Sequence, residues 1–489
     1  MLIDDIKKIR LKKLEDLKKA GVNPYPAKTG RDCGVSEALE NFDEWQSGEK
    51  KIVLAGRLTA LREHGGSTFG RVDDGGAKIQ IYLKKDELGE KDYLFFLENF
   101  DIGDFIEVAG VLFLTKKGEK TLKVSAVKIL AKSLLPLPEK WHGLQDIEER
   151  FRRRYLDLTM NEEVKERFVS RSKIIQEIRS FLVESGYLEV ETPVLQILPG
   201  GALARPFKTH HNALDIDLYL RVAPELFLKR LLVGGFPKIF EIGRNFRNEG
   251  IDHAHNPEFT MLEGYAAYDD YEGLMIFIEK MFSRLVKKIF GEDFIDYKGQ
   301  KINFQAPWPR LDFSEMLLKY AEIDYNKENR NGLAERAEKL ELKIAKSDTK
   351  GKIADEIYKK ICRPNLIQPV FLTGHPLEIS PLAKKDENNP QKVQRFQVIA
   401  GGIELVNAFS ELNDPLDQRE RMLEQEKIRK AGEEEVQRFD EDFIEALEYG
   451  MPPAAGFGIG IDRLVMLLTG TENVKEVIFF PTMKPKEVN

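Results

Sequence analysis

An arginine at the end of an alternating segment is the strongest sign of chemistry in this sequence. In KIFEIGRNFRNEG, residues 238–250, the side chains of Phe240, Ile242 and Phe246 fall on one face of a predicted strand. Arg247 falls on the opposite, polar face, next to a loop. A planar guanidinium in that position can hold a phosphate or a carboxylate through two parallel hydrogen bonds. Arg244 falls on the apolar face, and we predict that its role is structural.

The segment that follows this loop reads as a returning strand with a second set of useful groups. Phe259, Met261, Glu263 and Tyr265 share one of its faces. An aromatic ring beside an arginine can stack on an adenine, and the carboxylate and phenol can receive a cationic group. The alternative is an ordinary ladder of arginine and glutamate side chains on a two-stranded ribbon.

A glycine-rich turn precedes a predicted helix near the C-terminus. In GFGIGIDRLVMLL, residues 456–468, three alternating glycines allow close approach to the backbone, and Arg463 lies in the first turn of the helix. A helix N-terminus with an arginine attracts anions. The segment is not a Walker A loop, because no Gly-Lys-Ser/Thr follows the glycines.

A third segment, GGIELVNAFSELNDP at 401–415, alternates in the same way. Asn407, Phe409 and Glu411 can all point into one cavity. Glu404 is out of phase with them, and it reaches the same cavity only if the strand bulges. The alternative is an edge strand with a polar face.

Composition limits the class of protein that contains these groups. A chain of 489 residues with a net charge of -7 predicts two or three domains and no general basic surface, so any contact with nucleic acid is local. Cys33 and Cys362 are the only cysteines, which predicts neither a disulfide framework nor a structural zinc site. The sequence contains no apolar signal core and no membrane-length apolar run. We therefore expect a reduced, cytoplasmic protein with no membrane segment.

The elements that position these groups change character along the chain. Residues 2–20 read as a basic helix, and short alternating strands between about 50 and 130 predict a small β-barrel. A proline-marked connection follows. The segment after it predicts a helix with Phe168, Ile175, Ile178 and Leu182 on one face. Residues 310–365 and 415–447 read as charged and helical.

Several segments together resemble the class II aminoacyl-tRNA synthetases, and most closely the lysine-specific bacterial type. FLVESGYLEVETPVL, FRNEGIDHAHNPEFTMLEGY and GFGIGIDRL are similar to the three motifs of that class. The segments RPFKTHHNALDIDLYLRVAPELFLKRL, HPLEISPLAK and ELVNAFSELNDP resemble stretches specific to the lysine enzymes. Agreement in order over nearly the whole length leaves chance as a negligible explanation.

The resemblance implies a fold and a reaction. The fold is α+β, with an N-terminal helix and a five-stranded oligonucleotide-binding barrel that reads the anticodon (1–135), a linker (136–150) and a catalytic domain on an antiparallel sheet (151–489). The implied enzyme is a homodimer. It activates L-lysine with ATP in the presence of Mg²⁺ and transfers the lysine to the 3′ end of tRNA(Lys).

The resemblance also implies a role for individual residues. Arg247 would hold the α-phosphate of ATP and the carboxylate of lysine, and Arg463 would clamp the γ-phosphate. The ATP site would comprise Arg247, Glu249, His255, Asn256, Phe259, Glu404 and Arg463. The lysine site would comprise Gly201, Glu225, Arg247, Glu263, Tyr265, Asn407, Phe409 and Glu411. The metal ligands would be Glu404 and Gln397, and the anticodon would be read by Arg57, Phe69, Gln80 and Glu119.

Three positions depart from the usual pattern of the class. Ala254 stands where an arginine is usual, with His253 as the neighbouring side chain that could take its place. Gln397 stands where a metal-binding glutamate is usual, and Gly264 where a leucine is usual. These departures keep open a second reading, a paralogue that binds tRNA or a partner protein without efficient activation.

Two further alternatives are disfavoured. A lysyl ligase that acts on a translation factor would resemble the catalytic domain only, whereas this chain also contains a predicted barrel. An aspartyl or asparaginyl enzyme needs a cationic pocket, whereas this sequence places glutamates there.

Overall fold

The computed structural model describes residues 3–138, 144, 146–430 and 438–486. The chain divides into two compact units, Met1–Leu144 and Gln145–Asn489. Part of the predicted linker, residues 139–143 and 145, lies outside the described residues, as does 431–437 of the segment predicted as helical. Within the described residues, no helix is both long and apolar enough to cross a membrane.

The first unit is a closed five-stranded barrel with helices before and between its strands, which confirms the predicted barrel. Its strand order is β1-β2-β3-β5-β4. All five strands lie between Lys51 and Ala131, the part of the chain in which short alternating strands were predicted. The elements are α1 (Ile3–Lys19), α2 (Val35–Glu40), α3 (Phe42–Ser47), β1 (Lys51–His64), β2 (Ser67–Asp73), β3 (Lys78–Lys84), α4 (Lys85–Leu88), α5 (Glu90–Asn99), β4 (Phe105–Leu114) and β5 (Lys120–Ala131).

Alternation along these strands separates the barrel core from its outer face. In β4 the side chains of Ile106, Val108 and Leu112 are buried, as the period-two pattern predicts. Leu114 shares their phase but is 45% exposed, because it is the last residue of the strand. The helix α1 joins the same core through Leu17, so its exposed lysines lie on the outside.

The second unit is built on an eight-stranded sheet with the order β14-β15-β16-β17-β18-β11-β10-β6. Its central strands are antiparallel, as predicted, and only the outermost pairs at the two ends are parallel. The strands of the unit are β6 (Leu188–Glu189), β7 (Leu195–Gln196), β8 (Lys208–His211), β9 (Ile216–Leu220), β10 (Lys238–Phe246), β11 (Glu258–Ala267), β12 (Phe294–Tyr297), β13 (Gln300–Asn303), β14 (Arg310–Asp312), β15 (Val370–Thr373), β16 (Arg395–Ala400), β17 (Ile403–Ser410) and β18 (Ala454–Gly460).

Helices cover this sheet and flank it. They are α6 (Ile147–Arg152), α7 (Arg154–Met160), α8 (Glu162–Glu184), α9 (Glu225–Val233), α10 (Tyr271–Phe290), α11 (Phe313–Ala321), α12 (Arg330–Lys339), α13 (Lys350–Ile357), α14 (Pro415–Lys430), α15 (Glu441–Glu448) and α16 (Ile461–Leu468). The segment 310–365 thus contains three helices, and it has its own apolar core. The helix α6 begins inside the predicted 136–150 linker, because Asp146 accepts hydrogen bonds from the backbone N–H groups of Glu148 and Glu149.

The largest core lies between the sheet and the helices α8, α10 and α16. In α8 the buried residues include Phe168, Ile178 and Leu182, as predicted. Ile174 is also buried, whereas Ile175, the fourth residue predicted for this face, is only partly buried. Both positions fit a helical spacing from Ile178, at four and three residues, so the sequence period alone could not separate them.

A β-bulge in β17 explains how Glu404, which is out of phase with Asn407 in the alternating pattern, reaches the same cavity. Val406 pairs with Val398 on β16, and Glu404 pairs with Ile399, so Leu405 is an extra residue without an opposite partner. The bulge moves Glu404 into the same cavity wall as Asn407 and Phe409. The predicted condition for Glu404, a bulge in its strand, is therefore met.

Candidate active site

A cavity of about 340 Å³ opens on the sheet of the second unit, where β10, β11, β18 and β17 lie side by side. The pairing register of three neighbouring strands explains which residues form the floor of the cavity. Glu263 of β11 and Asn407 of β17 both pair with Gly458 of β18, and Tyr265 and Phe409 both pair with Gly456. The glycine-rich strand β18 therefore lies between two strands, β11 and β17, that carry predicted site residues opposite its glycines. A Cβ atom on Gly456 would overlap the carboxylate of Glu411 and the ring of Tyr265.

Arg247 lies just beyond the end of β10, on the cavity wall. Its backbone N–H donates to the carbonyl of Pro257, which fixes it beside β11, and its guanidinium lies 5.0 Å from the ring centre of Phe259. Burial lowers the pKa of Arg247, although the charge of Glu249 opposes the shift. Its Nε atom is buried and has no acceptor among the described residues. This guanidinium is therefore an anion site that the protein itself leaves unfilled.

Three glutamates gather at the other end of the cavity. Glu225 is the first residue of α9, Glu263 is in the middle of β11, and Glu411 follows β17; all three are buried. Burial raises the pKa of Glu263 to about 8, and the nearby charge of Glu225 adds to the effect. The hydroxyl of Tyr265 donates to Glu263 at 3.3 Å. Such a group of carboxylates suits a ligand with more than one cationic group.

The loop at Gly201 closes over Glu225. Gly201 has φ +86, and a Cβ atom there would lie 2.8 Å from Cβ of Glu225 and 3.1 Å from Cβ of Ala223. Only glycine combines this backbone conformation with this close approach. Gly201 therefore helps to enclose the carboxylate end of the cavity.

A lysine of the protein lies among these glutamates, and the sequence analysis missed it. Lys229 Nζ is 2.6 Å from Glu225 Oε1 and 2.5 Å from Glu411 Oε2. Asn407 and Phe409 line the cavity as predicted, but Glu411, which was expected to point into the same cavity, lies behind its wall. The spacing of four residues between Glu225 and Lys229 on one helix is the only sign of this pair in the sequence.

The opposite end of the cavity contains a chain of polar side chains that includes the loop between β10 and β11. Arg463 Nη2 donates to His255 Nε2 at 2.9 Å, and His255 Nδ1 lies 2.9 Å from Asp252 Oδ2. Because an arginine can only donate, Nε2 accepts and the proton is on Nδ1, facing Asp252. His255 thus holds Arg463 at the wall. His253, considered above as a substitute for the missing arginine, is not part of that wall.

The remaining predicted ATP residues line the same end. Glu249, Asn256, Phe259 and Glu404 all contribute to the wall. Asn256 Nδ2 donates to the carbonyl of Glu258 at 2.6 Å, and its Oδ1 is buried without a donor among the described residues. An unsatisfied buried acceptor beside an aromatic ring is consistent with recognition of a base that has an amino group.

The first unit presents a separate set of side chains on the outer face of its barrel. Phe69 on β2 pairs with Tyr82 on β3, and their rings are 4.8 Å apart; Tyr82 is 5.9 Å from Phe113. The predicted Gln80 lies on the same face and donates to Thr121 Oγ1 at 2.9 Å. If its amide is turned, Gln80 donates to Glu119 at 3.0 Å.

The fourth predicted base reader, Arg57, is on β1 of this barrel. Its guanidinium lies 4.3 Å from the ring centre of Phe105, and it donates to the carbonyl of Gly103 at 3.1 Å. Tyr82 and Phe113 were not predicted. For Tyr82 the signal was present, because it lies two residues from Gln80 on an alternating strand.

Comparison with known proteins gives a family match for each of the two units. Residues 146–484 match the family model of class II tRNA synthetases (D, K and N), and residues 52–130 match that of the OB-fold nucleic acid binding domain. A lysine–tRNA ligase of Pelotomaculum thermopropionicum is 49% identical over 99% of this chain and 96% of its own length. Lysine–tRNA ligases of Carboxydothermus hydrogenoformans and Moorella thermoacetica are also 49% identical, over 99% of both chains.

The chain belongs to the lysine–tRNA ligase family of class II tRNA synthetases.

The Mg²⁺ ion that this family implies can be compared with the donors present. Gln397 is not on the cavity wall; its Oε1 is 3.3 Å from His375 Nε2, and both residues are buried. Burial and the charge of Arg395 lower the pKa of His375 to about 3, so the imidazole is neutral and its N–H occupies this oxygen. Glu404 remains on the wall. One carboxylate together with substrate phosphates is a common donor set for Mg²⁺, so the residues fit the ion through Glu404.

The third departure from the family pattern has a packing explanation. A Cβ atom on Gly264 would lie 2.5 Å from the ring of Phe457 on the neighbouring strand. The phenylalanine ring thus takes the space that a side chain at position 264 would fill. The absence of a leucine there is compatible with a filled core.

Proposed function

We propose that the chain is an ATP-dependent lysine–tRNA ligase that forms lysyl-adenylate and then transfers lysine to tRNA(Lys). One observation supports this most strongly: Arg247, whose buried Nε has no acceptor among the described residues, lines a cavity whose far end has Glu225 and Glu263 on its wall and Glu411 buried behind it. Free lysine has one carboxylate and two ammonium groups, so its charges match the two ends of the cavity. An uncharged analogue would leave buried carboxylates unpaired, which gives strong discrimination.

In the first step, a carboxylate oxygen of lysine attacks the α-phosphorus of ATP and pyrophosphate leaves. The carboxylate is already ionised, so this step needs no general base. Arg247 brings the carboxylate and the α-phosphate together and offsets their charge, and Arg463 binds the γ-phosphate. When bound, Mg²⁺ supplies further positive charge to the phosphates, and Glu404 would hold it. Phe259 stacks on the adenine, with Glu249, His255 and Asn256 around it.

In the second step, a ribose hydroxyl of the terminal adenosine of tRNA attacks the adenylate carbonyl and AMP leaves. The barrel selects the tRNA through its anticodon. Single-stranded bases stack on aromatic side chains, and Phe69 offers such a ring beside the polar groups of Gln80, Glu119 and Arg57. Because ATP and tRNA are its substrates, we expect the protein to work in the cytoplasm.

We also infer that the enzyme is a homodimer. The sheet ends at the short edge strand β6, and the residues around it expose large apolar side chains: Val183 is 57% exposed, Leu188 50%, Leu195 49% and Ile197 70%. Exposed apolar side chains in this number within a short segment are typical of an interface. Light scattering on Ile197→Asp and Leu195→Asp variants should show a lower mass than the unaltered chain.

The reaction is tested by lysine-dependent exchange of pyrophosphate into ATP, followed by charging of tRNA(Lys). We expect exchange with lysine and none with two analogues. Arginine has a guanidinium in place of the ε-ammonium group, and norleucine has no charged group on its side chain. Absence of exchange at saturating lysine, ATP and Mg²⁺ would exclude the ligase and leave the reading of a tRNA-binding paralogue.

A further inference from the structure

Lys229 lies behind the cavity wall, in contact with two carboxylates of the predicted lysine site. The side chain is fully buried on α9, bridges Glu225 and Glu411 at 2.6 and 2.5 Å, and lies 5.4 Å from the ring centre of Phe409. All three partners belong to the predicted lysine site. A lysine of the protein is thus in contact with the carboxylates that a free lysine should need.

Lys229 is charged in this position. Burial by itself would lower the pKa of Lys229, but the charges of Glu225 and Glu411 outweigh burial, and the pKa lies above its ordinary value. A buried carboxylate without a counter-ion tends to take up a proton instead of staying charged. Burial raises the pKa of Glu411 to about 8, and the ammonium of Lys229 opposes this rise, so Lys229 favours the ionised form of Glu411.

The charges at this end of the cavity can then be compared with those of the substrate. When all three are ionised, Glu225, Glu263 and Glu411 contribute three negative charges, and Lys229 neutralises one. Two remain, which equals the number of ammonium groups on free lysine. Arg395 also lines the cavity and donates to Asn407; it faces the charges of Asp355 and Glu404 most strongly and that of Glu225 less. Lys229 is the cation that contacts Glu225 and Glu411 directly.

We propose that Lys229 is a specificity-determining and positioning residue, a fixed counter-ion that sets the charge of the lysine pocket to match one dicationic amino acid. This inference rests on the proposed function. Lys229 acts through Glu225 and Glu411: it holds both side chains in place by direct contact, and it favours the ionised form of Glu411. A pocket without it would have an excess negative charge and two poorly oriented carboxylates.

The first experiment compares Lys229→Met with the unaltered chain in lysine-dependent pyrophosphate exchange. We expect KM for lysine to rise about 30-fold or more, as for loss of one partner of a buried charge pair, whereas KM for ATP changes less than about threefold. Adding Glu411→Gln to Lys229→Met restores the charge of the pocket, and we expect it to recover at least about fivefold of the lost lysine affinity.

The chain offers a matched control. Lys132 in the barrel unit is also fully buried and bridges two carboxylates, with Nζ 2.5 Å from Asp101 and 2.8 Å from Asp104. The Lys132→Met variant removes an ion pair of the same kind, and KM for lysine in exchange should stay within twofold of the unaltered chain.

A second variant keeps the inference testable if Lys229→Met does not fold. Lys229→Ala leaves a space with the shape of propylammonium between two carboxylates, so propylammonium should restore lysine-dependent exchange and propanol should not. Exchange by the unaltered chain, measured in parallel, separates this inference from the proposed function. An unchanged KM for lysine in Lys229→Met, or an equal loss of lysine and ATP affinity with no rescue by propylammonium or Glu411→Gln, would overturn the role of Lys229.

Discussion

The cavity of the second unit and the outer face of the barrel both present aromatic and charged side chains, but they differ in exposure to water. Glu263, Glu411 and Lys229 are at most 4% exposed. Phe69, Tyr82 and Gln80 lie on a barrel surface open to solvent on one side. Charges removed from water interact strongly, and an unpaired one is costly, whereas an exposed ring contributes a modest stacking energy.

This difference predicts how each surface discriminates. The cavity should reject a wrong amino acid almost completely, because a single mismatch leaves a buried charge unpaired. The barrel should read its ligand through several small contributions, none of which is decisive. Variants of the cavity should therefore impair the first step severely, and variants of the barrel should impair only the tRNA-dependent step, by a smaller factor.

The largest effect is expected at Arg247. Arg247→Lys keeps the charge but loses the two-pronged geometry that can hold a carboxylate and a phosphate together. We expect kcat/KM for pyrophosphate exchange to fall about 1,000-fold, as when a transition-state donor is removed.

Arg244 is the matched control for that variant. It lies on β10, three residues before Arg247, but its side chain is about half exposed and its Nε is 3.6 Å from Glu258 on the surface. Arg244→Lys should leave exchange within about twofold, since exposed ion pairs contribute little. Similar losses at both positions would show that the strand, and not the guanidinium of Arg247, limits activity.

How far the sequence could predict this cavity depends on the kind of interaction. Strand alternation was sufficient for Arg247 and Glu263, and it even required the bulge at Glu404. It could not find the pairing of Lys229 with Glu411, or the contact of Arg463 with His255, because each joins segments far apart in the chain. Nor could it show that the imidazole of His375 lies within hydrogen-bond distance of the side-chain oxygen of Gln397.

The second largest effect is expected at Glu263 and depends on pH. The pKa of Glu263 is about 8 because the carboxyl is buried beside Glu225, so below pH 8 the empty pocket holds a proton there. Binding of an ammonium group must displace that proton. KM for lysine should therefore fall as pH rises from 6.5 towards 8.5, and lysine binding at pH 7 should release protons in calorimetry.

Glu263→Gln should remove this pH dependence and raise KM for lysine about 100-fold, which corresponds to about 3 kcal/mol for a buried charge pair. Glu258 on the same strand is 50% exposed in its side chain, so Glu258→Gln should preserve both the affinity and the pH profile. A pH profile that is unchanged in Glu263→Gln would assign the titration to another group.

The smallest effect is expected on the barrel, at Phe69. Phe69→Ala removes one ring from a cluster in which Tyr82 and Phe113 remain, so the loss should be near the lower end of the range for one stacked base. We expect kcat/KM for tRNA charging to fall about 10-fold, with lysine-dependent exchange unchanged, since exchange needs no tRNA.

Leu114→Ala, which removes a 45% exposed apolar side chain from another strand of the barrel, should affect neither assay. If Phe69→Ala reduced exchange as much as charging, the two surfaces would not be independent. Selective loss of charging would instead show that one enzyme uses buried charge for its amino acid and exposed stacking for its RNA.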